Sequence, residues 1–492
     1  MSDPDLVIGL DSSTQSTKAL AWTREGEPVA EGRAPIPMAT PRPGWAEQNP
    51  ADWWTAAATA LTALCEQIDP ARVAGLAISN QRETVALTGA DLAPVRPAIV
   101  WLDERARDEL KPFSESFGAE ELHRITGKPV DVTPVVYRLS WLRRHEPETL
   151  DRAARILDVH GYLTGRLTGR ATASWTSADP FGVFDITTKQ WSAPILDRLG
   201  LAADRFAGLA RPGDRVGGVS EQAAAETGLR AGTPVFAAGG DGQCAGLGVD
   251  AARSGVIYLN LGTAIITGAW SADPRPCLSW RTMTSPTGEG YFLEGCQRAG
   301  AFFINWFVDT LAGGRDSPDV FARLEAEAAD LPVGSEGVTV SPYLSGCMDP
   351  HWDPDARAAF LGLAPHHGLG HLYRASLEAL TLESARCIAS MDAAGLAPAK
   401  IVAVGGGAAS ALWRAMLADA TGLPLSVSRS VEASSLGAAM AAAAGLGWHA
   451  SLADAAQAMS AQGDVTAPSP AGAAAWAALA ERQARAYRAG GH

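Results

Sequence analysis

Two strand-turn-strand segments, one near the start of the chain and one just past its middle, constrain the fold more than any other feature. In the first, an apolar run ends at Asp11 and leads into a hydroxyl-rich turn over residues 12–17 before a second strand begins. In the second, apolar strands within residues 256–269 flank the turn Gly262-Thr263-Ala264. Short apolar runs bounded by turn residues are typical of buried strands. The repetition predicts a duplicated α/β architecture, with one such turn contributed by each half.

The composition of the two turns suits phosphate. Hydroxyl and amide donors in the first turn can hold phosphate oxygens by hydrogen bonds, and Asp11 at its mouth suits Mg²⁺, held directly or through water. A hairpin with a solvated serine-threonine loop is the alternative for this segment. One phosphate loop from each half indicates an ATP-binding cleft of the actin and hexokinase kind. A P-loop is not expected, because the sequence contains no Gly-x-x-x-x-Gly-Lys-Ser/Thr motif.

An acidic residue among glycines lies near the midpoint of the chain. Asp241 follows a short apolar run that begins after Thr233, and its neighbours are Gly239, Gly240 and Gly242. The missing side chains would let a ligand approach the backbone closely while one carboxylate projects into the gap. An ordinary strand-to-helix turn with Asp241 as the N-cap explains the same residues.

A polar cluster follows another predicted strand in the first half. Gln81, Arg82 and Glu83 come soon after the apolar run 73–78, at the carboxyl end of a strand, where open α/β sheets bind ligands. Their donors and acceptors suit vicinal hydroxyl groups, although a salt-bridged surface turn fits them equally well.

Two further stretches offer flat or bare surfaces. The predicted strand 98–105 ends with the aromatic plate of Trp101 and two acids, Asp103 and Glu104, although Trp101 fits a core position equally well. In the second half, the predicted strand 401–404 runs into Gly405-Gly406-Gly407. Bare backbone there would accommodate an adenine ring, and the helix that follows would favour phosphate at its N-terminus.

The composition limits the size, compartment and partners of the protein. With 492 residues, 47% of them hydrophobic, the chain can form two domains. Six scattered cysteines without a Cys-x-x-Cys pair, and histidines without metal-ligand spacing, indicate a reducing compartment and no structural zinc site. The net charge of -14 disfavours nucleic acid and anionic membranes as partners. Because the sequence starts without a basic, apolar leader and has no membrane-spanning run, we expect a cytoplasmic protein.

Two late segments differ in character. The small residues from Ser434 to Ala450 predict a tightly packed helix, and the stretch 463–470, rich in glycine and proline, predicts a surface loop.

Taken in order, these stretches resemble the FGGY family of carbohydrate kinases, which includes glycerol kinase, xylulokinase, ribulokinase and gluconokinase. The resemblance runs from Val7 to about Gly447. Its most specific match is Ala-x-Phe-x-Gly-Leu, seven residues, then His-Leu-x-x-Ala-Ser-Leu-Glu over residues 358–378, which fits the family's second signature. The first signature is partly present: residues 138–145 fit its end if Arg replaces the usual Lys, but Val135 stands where Pro, Ser or Thr is expected.

The resemblance implies two ribonuclease H-like domains of the actin and hexokinase type, residues 1–248 and 249–492, that close on ATP and a small-molecule sugar or polyol. It places Asp241 as the catalytic aspartate, which accepts the proton of the substrate's terminal hydroxyl or orients that hydroxyl. It also implies Mg²⁺ held by Asp11 and Asp241. The implied ATP-binding residues are Asp11, Ser13, Thr14, Gln15, Lys18, Gly262, Thr263, Gly406, Gly407 and Ser410. The implied sugar-binding residues are Gln81, Arg82, Glu83, Trp101, Asp103, Thr133, Asp241 and Gln243.

Local matches to individual family members differ along the chain. The Arg-Glu pair and Trp101 resemble the substrate-binding residues of glycerol kinase, but Thr133 and Ile266 stand where that enzyme has Tyr and Phe, which would widen the site. Residues 43–50 and 342–346 look more like xylulokinase. We therefore expect a ketopentose substrate, D-xylulose first, with glycerol or another short polyol as the alternative.

Other classes of protein explain part of the pattern. A nucleotide-dependent regulator of the same superfamily would keep the phosphate loops and hydrolyse ATP regardless of sugar, and a pseudokinase would bind sugar without turnover. For an enzyme, we expect the lobes to close on sugar about a hinge near residues 245–255. The resemblance is compatible with assembly into a homodimer.

Overall fold

The computed structural model describes residues 4–348, 353, 355–430, 432–469 and 472–489. Its two largest sheets each begin with one of the strand-turn-strand segments. The first sheet contains β1 (Leu6–Ser12), β2 (Ser16–Trp22), β3 (Pro28–Pro35), β4 (Val73–Asn80), β5 (Arg215–Gly218) and β6 (Pro234–Gly240). The second contains β7 (Val256–Leu261), β8 (Ile265–Ser271), β9 (Arg281–Thr284), β10 (Tyr291–Gln297), β11 (Lys400–Val404), β12 (Leu425–Ser428) and β13 (Gln462–Thr466).

The two sheets repeat one topology. Their strand orders are β5-β6-β4-β1-β2-β3 and β9-β10-β8-β7-β11-β12-β13. In each, the first strand of the chain segment pairs antiparallel with the second and parallel with a later strand, β4 in the first sheet and β11 in the second. This repetition confirms the predicted two-domain α/β fold.

Helices cover both sheets and carry several residues of the site. The principal ones are α1 (Pro50–Cys65), α2 (Val135–His145), α3 (Val159–Thr168), α4 (Asp241–Gly248), α5 (Ala301–Leu311), α6 (Leu369–Ala393), α7 (Ala411–Thr421) and α8 (Ala433–Gly445). None of the helices in the described part of the chain is long and apolar enough to cross a bilayer. All six cysteines are free thiols.

Helix α8 comes late in the sequence but packs on the first sheet. Ser435 Oγ donates a hydrogen bond to the carbonyl oxygen of Gly9 at 2.9 Å and accepts one from Trp22 Nε1 at 3.2 Å. A Cβ atom on Gly9 would lie 1.9 Å from the carbonyl oxygen of Ser435, so only glycine allows this approach. The predicted helix of small residues is confirmed, and its small side chains are what permit backbone contact between the two halves of the chain.

Strand β9 of the second sheet is anchored to the first half. The backbone N–H of Thr282 donates to the carbonyl oxygen of Gly127 at 2.8 Å, and Lys128 Nζ donates to the Thr282 carbonyl oxygen at 2.9 Å. Lys128 Nζ also lies 3.3 Å from Asp179 Oδ1, and both side chains are buried. These contacts hold the two lobes together below the cleft that separates their sheets.

Two sequence predictions of local structure are wrong. The strand expected over 98–105 extends only over Ala98–Ile99, because the chain then turns so that Trp101 faces outward. The loop expected at 463–470 is largely strand β13, which pairs with β12, although Pro470 lies outside the described residues. Backbone pairing at a sheet edge overrides the turn propensity of Gly463 there.

Candidate active site

A polar cleft of about 800 Å³ lies where the two halves of the chain face each other. Asp11 and Lys18 line it from the first half, and Asn260, Gly405 and Gly406 line it from the second. The phosphate turns follow directly from these strands: residues 13–15 come after β1, and Gly262 and Thr263 come after β7. The strand ends that precede both predicted loops, at Asp11 and Asn260, therefore lie at one cavity, although the loop residues themselves are not among those that line it.

An apolar pocket of about 500 Å³ shares Gly406 with this cleft. Gly407, Ser410 and Trp413 line it on one side, and Asn305 of α5 lies in its wall. Ser410 is the N-cap of α7, where its Oγ accepts the backbone N–H of Trp413 at 3.0 Å, so this side chain orders the pocket wall. The pocket suits a planar heterocycle, as the triple glycine predicts. The sequence gives no comparable signal for Asn305.

Lys18 is paired across the cleft. Its Nζ donates to both carboxylate oxygens of Glu432 at 2.8 Å, and Glu432 also lies 3.6 Å from Arg33. Glu432 precedes α8 and was not predicted, because nothing local marks it as a partner for a residue on β2. Lys18 lines the cleft with Glu432, and the third N–H of its ammonium group is left for a phosphate oxygen.

Asp241 is the first residue of α4, directly after β6, and its side chain is 37% exposed. Gly240 is the N-cap, so the alternative that Asp241 caps the helix is wrong. Asp241 Oδ1 accepts the backbone N–H of Gly242 at 2.8 Å. This contact fixes the orientation of the carboxylate beside the cleft, whose lining residue Ser434 donates from Oγ to the Asp241 carbonyl oxygen at 3.1 Å.

The glycines around Asp241 make room for protein side chains. A Cβ atom on Gly240 would lie 2.5 Å from Arg82 Cδ, and one on Gly239, whose φ is +141°, would lie 1.6 Å from Thr176 Oγ1. The sequence interpretation, in which bare backbone admits a ligand, is therefore wrong at these two positions. Their space is filled by Arg82 and Thr176.

Asp11 and Asp241 are close enough for their carboxylates to repel each other. Asp11 is buried and its Oδ1 accepts the Ser79 hydroxyl hydrogen at 2.7 Å. Burial, with repulsion from Asp241, raises the pKa of Asp11 to about 6. Burial also raises the pKa of Asp241, although the Arg82 guanidinium opposes that shift. Two carboxylates destabilised in this way form a donor set that fits a hard divalent cation.

Arg82 and Glu83 are paired with residues of the second sheet and not with each other. Arg82 forms a bidentate pair with Glu294, from Nη1 to Oε2 at 2.9 Å and from Nη2 to Oε1 at 3.2 Å. Arg281 Nη1 donates to Glu83 Oε1 at 2.8 Å, and Arg281 Nη2 also bonds Glu294. Neither partner was predicted. A glutamate inside the apolar run of β10 is the one signal that marks Glu294 as unusual.

Three predicted sugar-binding residues are engaged within the protein. Gln81 is buried and donates from Nε2 to Gln48 Oε1 at 2.9 Å. Gln243 is buried, and its Oε1 accepts Arg82 Nη1 at 3.0 Å. Asp103 is fully buried, and its oxygens accept hydrogen bonds from Arg105 and from the Ala46 backbone. The prediction for Asp103 is therefore corrected: it stabilises the turn that carries Trp101.

Trp101 joins the predicted sugar and phosphate sites. Its side chain donates from Nε1 to Thr14 Oγ1 at 2.9 Å, and the residue is 38% exposed, which excludes the core position. Thr133 Oγ1 donates to Asp131 Oδ2 at 2.7 Å. In the first turn, Ser13 Oγ donates to the Ser16 carbonyl oxygen, whereas Gln15 is exposed. Of these residues, Trp101 has the geometry that most directly links the two sites.

A cluster of histidines lies outside the cleft. Glu336, His366 and His367 present ligand-capable atoms within 4.8 Å of one another. However, Nδ1 of His367 accepts the backbone N–H of Ala364 at 2.9 Å. The proton of the neutral ring is then on Nε2, which leaves that nitrogen without a lone pair for a metal. The sequence spacing alone did not reveal this cluster.

Comparison with known proteins assigns the fold and the cleft to a family. Residues 6–248 match the N-terminal domain of the FGGY family of carbohydrate kinases, and residues 257–446 match the C-terminal domain. The chain belongs to the FGGY family of carbohydrate kinases. It is therefore a phosphotransferase that acts on an alcohol group. Sugar kinases of this family use ATP, with a small sugar or polyol as the acceptor.

Individual FGGY kinases resemble the chain over most of its length. A xylulose kinase from Bacillus subtilis is 29% identical over 92% of this chain and 90% of its own length. A glycerol kinase from Aromatoleum aromaticum is 32% identical over 90% of each chain. The crystal structure of a xylulose kinase from Rhodospirillum rubrum superimposes with a TM-score of 0.93, at 29% identity over 98% of each chain. Kinases named for different substrates are therefore about equally similar to this chain in sequence.

Proposed function

We propose that this FGGY kinase transfers the γ-phosphate of ATP to a terminal hydroxyl of a ketopentose, with D-xylulose the first candidate. The observation that carries the proposal is the position of Asp241, whose side chain is 37% exposed and whose carbonyl oxygen accepts the hydroxyl of Ser434, a residue that lines the cleft with Asp11. The similarity to xylulose kinases supports the choice of sugar.

Asp241 acts on the proton of the attacking hydroxyl. Its raised pKa makes it a better proton acceptor than an ordinary aspartate, and the Gly242 N–H holds one oxygen so that the other is directed to the substrate. Because the transition state of phosphoryl transfer is loose, alignment of the two substrates accounts for most of the catalysis. Trp101, which is hydrogen-bonded to Thr14, holds the sugar-binding side of the site at a fixed position relative to the first phosphate turn.

Asp11 and Asp241 would hold Mg²⁺. The raised pKa of Asp11 and its buried position fit a carboxylate that binds a cation when substrates are present. When bound, Mg²⁺ supplies neutralisation of phosphate charge. We expect excess EDTA to abolish sugar-dependent ADP release and added Mg²⁺ to restore it. Full activity in EDTA would contradict this assignment.

The pairing of Arg82 and Glu83 supports a ketopentose over glycerol. In the glycerol alternative, these two side chains bind the substrate hydroxyls themselves. Here the Arg82 guanidinium bonds Glu294 and Gln243, and Glu83 is 6% exposed with one oxygen bonded to Arg281. Fewer of their donors and acceptors are open to a small triol. Thr133, smaller than the tyrosine expected in glycerol kinase, leaves room for a longer substrate.

A substrate panel tests the proposal. Sugar-dependent ADP release is measured with Mg-ATP and glycerol, erythritol, D-xylulose, D-ribulose, L-ribulose, gluconate or no sugar. We expect kcat/KM for D-xylulose to exceed that for glycerol by about 100-fold or more, because glycerol is too short to fill a site widened at Thr133 and its reacting hydroxyl is then poorly aligned. A preference for glycerol would overturn the ketopentose assignment while leaving the kinase reaction intact.

A further inference from the structure

Glu294 occupies an unusual position for a charged residue. It lies in the middle of β10, its side chain is completely buried, and its neighbours on that strand are apolar. Across the antiparallel pair, Glu294 is directly opposite Arg281 of β9. A buried carboxylate is costly unless it is paired, so the position needs a compensating interaction.

Two guanidinium groups supply that compensation. Glu294 binds Arg82 through both carboxylate oxygens and also bonds Arg281. Burial by itself would raise the pKa of Glu294, but Arg82 and Arg281 outweigh that effect and lower it to about 2. Glu294 is therefore ionised throughout the range in which the enzyme can be assayed. Its carboxylate joins Arg82, in the turn after β4 of the first sheet, to Arg281 of the second sheet.

The pairing determines where Arg82 points. Its aliphatic part crosses Gly240, where no Cβ atom can be accommodated, and its far end is held by Glu294 and Gln243. Its Nε lies 3.4 Å from Asp241 Oδ1, beyond ordinary hydrogen-bond distance. Arg82 thus stays close to Asp241 without capturing its carboxylate. Without Glu294, the anions left beside Arg82 would be Glu83, which Arg281 already holds, and Asp241.

We propose that Glu294 is a positioning residue for the sugar site: by holding Arg82 from the second lobe, it keeps Asp241 open to the substrate. The inference rests on the proposed role of Asp241 but not on which sugar is phosphorylated. Arg281 assists by separating Glu83 from Arg82. The charged groups around Asp241 come from both lobes: Asp11, Arg82, Glu83, Arg281 and Glu294.

The test is a double-mutant cycle between Glu294→Gln and Arg82→Gln, with the sugar that the wild type prefers. We expect Glu294→Gln to raise the KM for sugar, and the sugar Kd measured by calorimetry, at least about tenfold, and the KM for ATP less than about threefold. In the Arg82→Gln background, the same substitution should change the sugar Kd less than about twofold, because Glu294 acts through Arg82.

Glu378→Gln is the matched control. Glu378 is also a buried glutamate of the second half, and it bonds Arg374, the Gly334 N–H and Ser335 away from the cleft. We expect this variant to lower the unfolding temperature without a selective change in the KM for sugar. If Glu294→Gln does not fold, Glu294→Asp, which keeps the charge, should fold and retain most of the sugar affinity.

The outcomes separate the inference from the proposed function. Equal loss of sugar and ATP affinity in Glu294→Gln, or an undiminished effect in the Arg82→Gln background, would overturn the positioning role. A wild type that prefers glycerol to D-xylulose would overturn the ketopentose assignment, while a selective effect of Glu294→Gln on glycerol binding would still support the inference. A fully active Asp241→Asn enzyme would overturn the mechanism on which both depend.

Discussion

Replacing Asp241 by Asn is expected to lower kcat for sugar-dependent ADP release by about 10³-fold, within the range contributed by a positioned general base. Asparagine has nearly the same shape and retains an oxygen to accept the Gly242 N–H, so the start of α4 should be preserved. It cannot accept the proton of the attacking hydroxyl. The loss should therefore appear in kcat, measured by a coupled ADP assay at saturating sugar and ATP.

Two measurements show whether this loss is chemical. The unfolding temperature of Asp241→Asn should not fall, since the carboxylate is destabilised by burial in the native protein. The exposed Asp330 lies beyond the end of a helix, and Asp330→Asn is the control for loss of one acidic group, with wild-type turnover expected. If Asp241→Asn keeps more than a tenth of the wild-type kcat, Asp241 is not the base.

Replacing Gly437 by Ala is expected to destabilise the fold by about 3 kcal/mol or more, at the upper end of the usual cost of overpacking. A Cβ atom at this position of α8 would lie 1.9 Å from the carbonyl oxygen of Cys244 in α4. Both sides of the contact are helical backbone, so neither can yield by a rotamer change. The helices must separate, and the gain in helix propensity of about 1 kcal/mol offsets only part of the cost.

The effect of Gly437→Ala should extend to the active site. Helix α4 begins with Asp241, so its displacement should lower kcat as well as the urea midpoint of unfolding. Gly368→Ala is the matched control, because a Cβ atom there meets nothing within 4 Å and the residue has an extended backbone. We expect the control to remain within about 1 kcal/mol of the wild type. Equal stability of the two variants would show that the helices tolerate the extra methyl group.

The strands and the position of Asp241 were predictable because their signals are local. Apolar runs such as that of β7 and the glycines after β6 and β11 lie within a few residues of the features they predict. Trp101 was ambiguous between core and site, and its exposure and its hydrogen bond to Thr14 decide the question. A short run of sequence does not state which face of a turn is covered by the rest of the chain.

The glycines around Asp241 illustrate the same limit. Their lack of side chains was evident from the sequence, but the reason for it was not. The space beside Gly240 is taken by Arg82, which comes from the turn after β4 and is held there by Glu294. Only the packed structure identifies the occupant of the space that a glycine leaves.

The sequence by itself determined the duplicated α/β fold and the family, because period, turn residues and short motifs encode them locally, and it predicts Asp241 as the catalytic aspartate. The tertiary structure alone decided the charge pairing of the site. Arg82 and Glu294 are separated by 212 residues, and they meet because two sheets bring their strands to one interface. A buried charge must find its opposite at hydrogen-bond distance, and that distance is set by packing and not by position along the chain.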